Sequence, residues 1–444
     1  MGPDKKVSTA VPIKWTSGTL PLRVRLGVPL LCLGNIAFFI LAQILPAVST
    51  HVKGFALIKN FEVEASKDNL FSATRRLANA GAWGSVILTS VFSGLWPYLR
   101  LLGTMFFVAI ADSRFMRRAW VYKGLIALEL LGKLCFCDVL VLILNLLIFN
   151  ITTDGPIPLK HFGHLEIRMF MNMHFASLAL VISVALSAIV NHWAVIELRR
   201  LLELEEMTDG EDAERKPLLE EEGLGSMGAN AHAGVGGTKL ALTAASAFMM
   251  AMTSIACLIA GASVPFMKVD HGGFLGELIR PQAHQNLDIS VFNTAQKLRD
   301  DGDKMYYLMS YLFLLFCFVM PVLDLVCIAV SAFGSLRGGI VSTFSGYGRF
   351  VSDACNPLAC IEVLLITALA IVGEIQTIVK FNIGDSCAPF ASILSNKGLL
   401  SLVGLDFAAS KTCFNPQPSL QAGFWLLLSA LVLRTVASRL LPSR

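Results

Sequence analysis

The chain is dominated by blocks of apolar residues about 20 residues long or longer, the length at which an α-helix crosses the hydrocarbon core of a bilayer. Only 15% of the 444 residues are charged, against roughly 25% in a soluble domain. The sequence therefore predicts an all-α polytopic membrane protein. We place about eight transmembrane helices, at residues 26–49, 82–111, 124–150, 171–197, 240–266, 305–333, 354–380 and 422–441.

Composition and motifs exclude several classes of function. The net charge of +4 is too small to indicate nucleic-acid binding. The ten cysteines include no CxxC pair, and the histidines are scattered, so we predict no metal site and no cofactor. No Ser/His/Asp arrangement or phosphate-binding glycine loop can be assigned, and we do not expect an enzyme.

A hydrophilic segment at 198–238 divides the chain into two parts with four predicted spans each. The segment is acidic and then glycine-rich, a composition that predicts disorder. Lys and Arg in the short loops place both termini and this linker in the cytosol. The predicted organisation is a cytosolic tail at 1–25, a first four-span module at 26–197, the linker, and a second four-span module at 239–444 with an exterior loop at 381–421.

The two modules share four short sequence anchors, which appear in the same order in each. Pairing the first copy with the second, the anchors are Pro46 with Pro265, Phe71–Leu77 with Phe292–Leu298, Pro97–Leu101 with Pro321–Leu325, and Cys137–Val141 with Ile361–Leu365. Their offsets of 219, 221, 224 and 224 drift by only a few residues. The pattern predicts a duplication, and the even number of spans per module makes the repeats parallel.

These phrases, Phe-Ser-x-x-x-x-Leu at 71–77, the proline inside the second span and the Asp-Val-Leu-Val run at 138–141, resemble the paraquat-inducible protein A (PqiA) family over about residues 26–380. The resemblance implies a bacterial-type inner-membrane protein of two four-span modules that moves lipids across the envelope with an MCE-domain partner protein. Bacterial members carry cysteine-rich zinc-ribbon segments on the cytosolic side. This chain departs from the family in having no CxxC there, so we do not expect the metal site of the bacterial members.

Ionisable side chains inside the predicted spans are the candidates for a substrate or proton pathway, because a charge in the bilayer must face a partner or a polar cavity. They are Arg100, Glu129, Lys133, Asp138, Asp324, Glu362, Glu374 and Arg434. Two pairs occupy equivalent repeat positions, Arg100 with Asp324 and Asp138 with Glu362. This equivalence predicts a pseudo-symmetric polar layer.

Helical geometry suggests how these groups pair. Glu129 and Lys133 are four residues apart and can pair along one face. Asp138 lies about 140° round the helix from Lys133, so we expect it to face Arg100. Glu362 would face Asp324, and two such carboxylates can share one proton. The alternative is structural: charge pairs that only fix packing, with Arg100, Glu129 and Arg434 near the interface.

Other features bear on shape and location. Pro97 and Pro321 predict kinks, which either open a cavity or only affect packing. The long exterior loops can hold some strand, with Phe55–Val63 as a candidate. The linker carries an acidic dileucine pattern that resembles a sorting signal recognised by an adaptor. It consists of Glu214, Leu218 and Leu219.

The predicted exterior segments contain two further candidate sites. Asn150 is a possible glycosylation site near a membrane end. Cys387 and Cys413 can form a disulfide in an oxidising compartment, or remain two thiols.

Two functions remain open on the sequence. The first is a membrane transport component for lipid or a hydrophobic small molecule, with membrane lipids and an MCE-type or other membrane protein as partners. The second is a non-transporting scaffold or accessory subunit of endolysosomal membranes. We expect a multi-pass protein of the endolysosomal or plasma membrane in a eukaryote, and of the inner membrane in a bacterium.

Overall fold

The computed structural model describes residues 20–56, 59–79, 81, 83–111, 118–149, 151–152, 157–159, 163–214, 233–272, 287–300, 304–337, 341–383 and 415–441. The helices before the linker are α1 (Leu22–Ile44), α2 (Leu70–Asn79), α3 (Trp83–Leu88), α4 (Trp96–Ile110), α5 (Arg118–Gly132), α6 (Phe136–Phe149) and α7 (Phe175–Glu214). Those after it are α8 (Ala233–Ser263), α9 (Val291–Asp300), α10 (Lys304–Leu314), α11 (Met320–Arg337), α12 (Val341–Cys355), α13 (Ile361–Ile383) and α14 (Ala422–Leu440).

Among the described residues, seven helical segments are long and apolar enough to cross a membrane. They are Leu22–Ile44, Thr89–Ile110, Phe175–Glu205, Ala241–Ser263, Lys304–Leu336, Phe350–Ile375 and Ala422–Leu440. The predicted span at 124–150 is not one of the seven, and it consists of α5 and α6 with a 3₁₀ turn at Lys133–Cys135 between them. Large apolar side chains such as Leu30 and Leu242 point outwards, as they do towards lipid. The chain is a multi-pass integral membrane protein.

Two further irregularities lie in the second membrane segment of each part. A π-helical turn at Thr89–Leu95 precedes α4, and another at Leu315–Val319 precedes α11. Pro97 and Pro321 each follow such a turn, as the second residue of an α-helix. The wider π turn accommodates the proline ring and the missing N–H, so neither proline interrupts the middle of an α-helix.

Helix breaks expose backbone groups that must find partners in the bilayer. A 3₁₀ turn at Asn356–Leu358 separates α12 from α13, and the Cys360 N–H after it donates to the Phe316 carbonyl of the π turn at 3.0 Å. At the break between α5 and α6, two side chains of α4 donate hydrogen bonds to backbone carbonyls. Trp96 Nε1 donates to the Leu131 carbonyl at 3.0 Å, and Arg100 Nη1 donates to the Gly132 carbonyl at 3.2 Å. In both parts, the second membrane segment provides hydrogen-bond partners for backbone groups at the helix break in the third segment.

Strands at one end of the helices correct the all-α prediction in part. The strands are β1 (Val48–Ala56), β2 (Lys59–Asp68), β3 (Ile151–Thr152), β4 (Ile157–Leu159), β5 (Gly163–Met173), β6 (Met267–Gly272), β7 (Leu287–Ile289) and β8 (Asn415–Leu420). One sheet has the order β2-β1-β5-β3 with β4 on β5, and the other has the order β7-β6-β8, with antiparallel pairing throughout. The candidate strand Phe55–Val63 covers the end of β1 and the start of β2.

The predicted disordered linker is helical at both ends, since α7 continues to Glu214 and α8 begins at Ala233. Ion pairs involve several acidic residues of α7 near the start of this extension. Glu197 accepts from Arg23 of α1, and Glu205 accepts from Arg118 of α5. Arg199 pairs with Glu203 one turn on, at 3.1 Å. Glu203 and Glu205 remain 60% and 46% exposed, as their acidic composition indicated, while the helix continues through them.

Close backbone approach positions the last helix. The Gly423 N–H donates to the Pro265 carbonyl at 3.0 Å, just after α8 ends. A β-carbon on Gly423 would meet the carbonyl oxygens of Val264 and Pro265, the latter at 2.7 Å. Only glycine fits this contact without displacing the backbone.

We expect Gly423→Ala to destabilise the protein by about 1–3 kcal/mol, because overpacking against backbone atoms cannot be relieved by a side-chain rotation. Gly373→Ala is the matched control, since a β-carbon at Gly373 of α13 meets nothing within 4 Å. That control should be neutral or stabilising by about 0.5–1 kcal/mol. Thermal unfolding in detergent measures both, and equal melting temperatures for the two variants would contradict the close contact.

Candidate functional site

Arg434 is the centre of a buried polar network, which we call the central network. Its Nε donates to Asp324 Oδ2 at 2.6 Å, and its Nη1 donates to Glu362 Oε1 at 3.0 Å. The guanidinium also donates through Nη2 to Asn356 Oδ1 at 2.7 Å. The three partners lie on α11, the first turn of α13 and the 3₁₀ turn between α12 and α13. One cation therefore ties the last helix to three other elements.

Lys133 connects this network to the first part of the chain. Its Nζ donates to Asn356 Oδ1 at 2.9 Å and lies 3.3 Å from Glu362 Oε1. Lys133 begins the 3₁₀ turn after α5, so the break places its ammonium towards α13. Its partners are more than 220 residues away in sequence, in the part of the chain that follows the linker.

The central network is balanced in charge, with Lys133 and Arg434 opposite Asp324 and Glu362. Asp324 also accepts a hydrogen bond from the Ser352 hydroxyl of α12. The side chains of Asp324, Lys133 and Arg434 are 2%, 8% and 9% exposed, whereas that of Glu362 is 30% exposed. The network is thus deeply buried except at Glu362, whose Oε2 is nevertheless buried and has no hydrogen-bond partner among the described residues.

Two predicted pairings are wrong. Asp324 and Glu362 do not pair directly, because Arg434 lies between them and donates to each. Arg434 itself is buried and does not reach towards the interface. Glu129 contacts His192 of α7 at 2.7 Å instead of Lys133. Lys133, at the start of the 3₁₀ turn, contacts Asn356 and Glu362 instead.

Arg100 lies apart from the central network. It is 1% exposed, and its Nη1 donates to Ser187 Oγ at 3.1 Å as well as to the Gly132 carbonyl. A β-carbon on Gly132 would overlap the guanidinium, so this glycine makes room for the arginine. The side chain of Asp138, which we expected opposite Arg100, is not described, and that pairing stays a prediction.

A second group of ionisable residues lies nearer the linker. Besides Glu129 and His192, it contains Arg199, whose Nη1 donates to Asp353 Oδ2 of α12 at 3.0 Å. This contact is another ion pair between the parts of the chain before and after the linker. His192 was not among the sequence candidates, and we name this group the linker-side layer.

The remaining candidates are dispersed. Glu374 lies on α13 with a carboxylate oxygen against Gly84 of α3, away from Arg434. Asn150, Leu218, Leu219, Cys387 and Cys413 lie outside the described residues, and so does the environment of Glu214, whose side chain is not described. The glycosylation, sorting and disulfide predictions therefore stay predictions. Among the described residues, no group of His, Cys, Asp and Glu could hold a metal ion.

Sequence reasoning missed Asn356, Ser352 and His192. Asn356 precedes Pro357 between two apolar helices, and an Asn-Pro pair within a predicted span is a signal for a helix break. His192 lies on α7 after Asn191, in an otherwise apolar block, which is also unusual in a transmembrane helix. Ser352 carries no such signal.

Comparisons with known proteins add no relative. No family model matches the chain, and neither a curated protein nor a solved structure matches it.

The contacts of Arg434 lead to a stability prediction. Arg434→Gln should cost about 3–5 kcal/mol, because it leaves the carboxylate of Asp324 buried without its cation. Arg439→Gln is the matched control, since Arg439 is exposed in the last turn of the same helix. Adding Asp324→Asn to Arg434→Gln should recover part of the loss. Thermal unfolding in detergent tests this double-mutant cycle, and additive losses would contradict a direct pairing.

Proposed function

We propose that the protein is a membrane transport component that transfers lipid or another hydrophobic small molecule, as the PqiA-like resemblance implies. The observation that carries the proposal is the central network. It is a polar centre inside an apolar helical protein, and it lies where the two parts of the chain meet. Intramembrane ionisable groups of this kind commonly mark the path of a substrate or ion.

We infer that the two parts are parallel repeats. Each runs through a membrane helix, two strands, a short helix, a segment with a π turn, a segment broken by a 3₁₀ turn, and a last helix preceded by a strand, to which the first part adds β3 and β4. The orders β2-β1-β5 and β7-β6-β8 are equivalent in this scheme. The π turns end at Leu95 and Val319, and the 3₁₀ turns begin at Lys133 and Asn356, which are offset by 224 and 223 residues. These offsets support the repeat inferred from sequence.

The proposed mechanism uses the exposed edge of the central network. Glu362 is its most exposed charged member, and its contact with Lys133 is the longest of the ion pairs there. A phosphate or carboxylate of a lipid could replace Glu362 as the partner of Lys133 at this edge, because both present anionic oxygen. Arg434 would then hold Glu362 while the lipid is bound.

The test is mass spectrometry of lipids that co-purify in a mild extraction. We expect a lipid class present with wild type to be depleted at least several-fold in Lys133→Gln, which loses the cation for the anionic group. The same class should be retained or enriched in Glu362→Gln, which loses the competing carboxylate. Lys304→Gln serves as control, because Lys304 is exposed at the start of α10. Unchanged lipid profiles in folded variants would argue against transfer through this site.

A second candidate function is a non-transporting scaffold. The observation that favours it is the charge balance of the central network, whose ions are paired within the chain. Such a network can fix helix packing and conformation without binding a substrate. In this case the protein would act through partners on its sheet side and through the linker.

The scaffold function predicts dependence on the linker signal. Leu218→Ala together with Leu219→Ala should redirect a fluorescent fusion from endolysosomal membranes to the cell surface in a eukaryotic cell, because adaptors recognise the paired leucines. Leu224→Ala is the control within the same linker. Unchanged localisation of the double variant would show that the two leucines are not a sorting signal.

A further inference from the structure

The side-chain amide of Asn356 has an orientation that its two cationic neighbours determine. Its Oδ1 accepts from Lys133 Nζ at 2.9 Å and from Arg434 Nη2 at 2.7 Å. Lysine and arginine side chains can only donate, and an amide accepts only at its oxygen. The oxygen must therefore face the two cations, so the amide nitrogen, Nδ2, points away from them. Asn356 directs two N–H donors out of the central network.

These donors lie at an open edge of the network. Asn356 is an exposed residue, and among the described residues both of its side-chain contacts are made by Oδ1. Lys133 Nζ beside it carries three hydrogens and contacts two described acceptors, Asn356 Oδ1 and Glu362 Oε1. One hydrogen of the ammonium is therefore left over. The edge offers N–H donors from a neutral amide and from a cation side by side.

An apolar stripe begins at the same edge, on α13. Glu362, Ile366 and Leu369 are four and three residues apart, so they lie on one face of this helix. The side chain of Glu362 is 30% exposed, and Ile366 and Leu369 are 43% and 51% exposed. Within two turns, this face passes from the polar edge to exposed apolar side chains. Such a surface matches a molecule with a polar head and an apolar chain.

The polar edge lies inside the membrane segment. Asn356 is six residues after Phe350, where the segment Phe350–Ile375 begins, which corresponds to about 9 Å of helix. The phosphate of an undisturbed lipid stays in the headgroup region, outside the hydrocarbon core. N–H donors at this depth, followed by an apolar stripe, suit a lipid whose headgroup has been drawn into the protein while its acyl chains stay along α13.

We propose that Asn356 is a headgroup-binding residue and that its ligand is the phosphate group of a membrane lipid. Nδ2 donates to one phosphate oxygen and Lys133 Nζ donates to another, while the acyl chains lie along Ile366 and Leu369. A phosphate is preferred to an uncharged headgroup because both groups at the edge donate, and hydrogen bonds from a cation to an anionic oxygen are the stronger ones. This assignment rests on the proposed transfer of lipid and names the headgroup class.

The test is native mass spectrometry of the purified full-length protein in detergent with three probes added separately. They are phosphatidic acid, diacylglycerol with the same acyl chains, and glycerol 3-phosphate. Wild type should bind phosphatidic acid at least several-fold more than either other probe, since phosphatidic acid alone has both the phosphate and the chains. Equal binding of glycerol 3-phosphate would overturn a lipid as the source of the phosphate. Equal binding of diacylglycerol would overturn recognition of the phosphate.

Asn356→Asp is the decisive variant. It keeps an oxygen for Lys133 and Arg434 but replaces the N–H donors with a second acceptor oxygen, which repels a phosphate. Binding of phosphatidic acid should fall at least several-fold, while the melting temperature stays at or above that of wild type because both cations keep their partner. Asn79→Asp is the matched control, since Asn79 is exposed at the end of α2, and it should not change binding.

Lys133→Gln distinguishes failure of this assignment from failure of the proposed function. Loss of phosphatidic acid binding in Lys133→Gln with no change in Asn356→Asp would remove Asn356 from the site and leave lipid binding at the edge in place. Unchanged binding in both folded variants would overturn both proposals. Asn356→Ala also removes Nδ2 and gives a second measurement if Asn356→Asp does not fold.

Discussion

The ion pair between Arg434 and Asp324 is the interaction on which the arrangement of the second part of the chain depends. A charge within a bilayer is tolerated only when it is paired or hydrated, and these two side chains meet at 2.6 Å with almost no exposure. The same guanidinium also binds Glu362 and Asn356. The last helix therefore cannot shift along its neighbours without leaving a buried charge unpaired, and through Lys133 this constraint reaches the part before the linker.

The helix breaks and the central network belong to one arrangement. A helix that runs unbroken keeps its backbone groups to itself and presents each side chain in a direction set by its 3.6-residue period. The 3₁₀ turns at Lys133–Cys135 and Asn356–Leu358 interrupt that period, and Lys133 from one turn donates to Asn356 of the other and to Glu362. The cost of exposed backbone is met by the preceding segment, through the Phe316 carbonyl in one part and through Trp96 and Arg100 in the other.

Apolar block length was enough to predict most membrane helices, because that signal is local and strong. The pairing of charges was not predictable in the same way. The expected Glu129–Lys133 contact is replaced by contacts with other helices, His192 for Glu129 and Glu362 for Lys133. The partners of Lys133 and Arg434 lie in distant segments, and helical periodicity contains no information about which distant carboxylate a side chain meets. The strands were predicted only loosely, because loop residues between spans lack the long apolar signal.

Charge balance distinguishes the two polar regions physically. The central network has as many cations as anions, which fits a role in fixing helix packing or in binding an anion that exchanges with Glu362. The linker-side layer has two carboxylates, Glu129 and Asp353, and one guanidinium, Arg199, while His192 is neutral. Its Arg199–Asp353 pair is about half exposed. The Arg199–Asp353 and Lys133–Glu362 ion pairs both join the same two parts of the chain. A change of charge in either region therefore acts on the contact between these two parts.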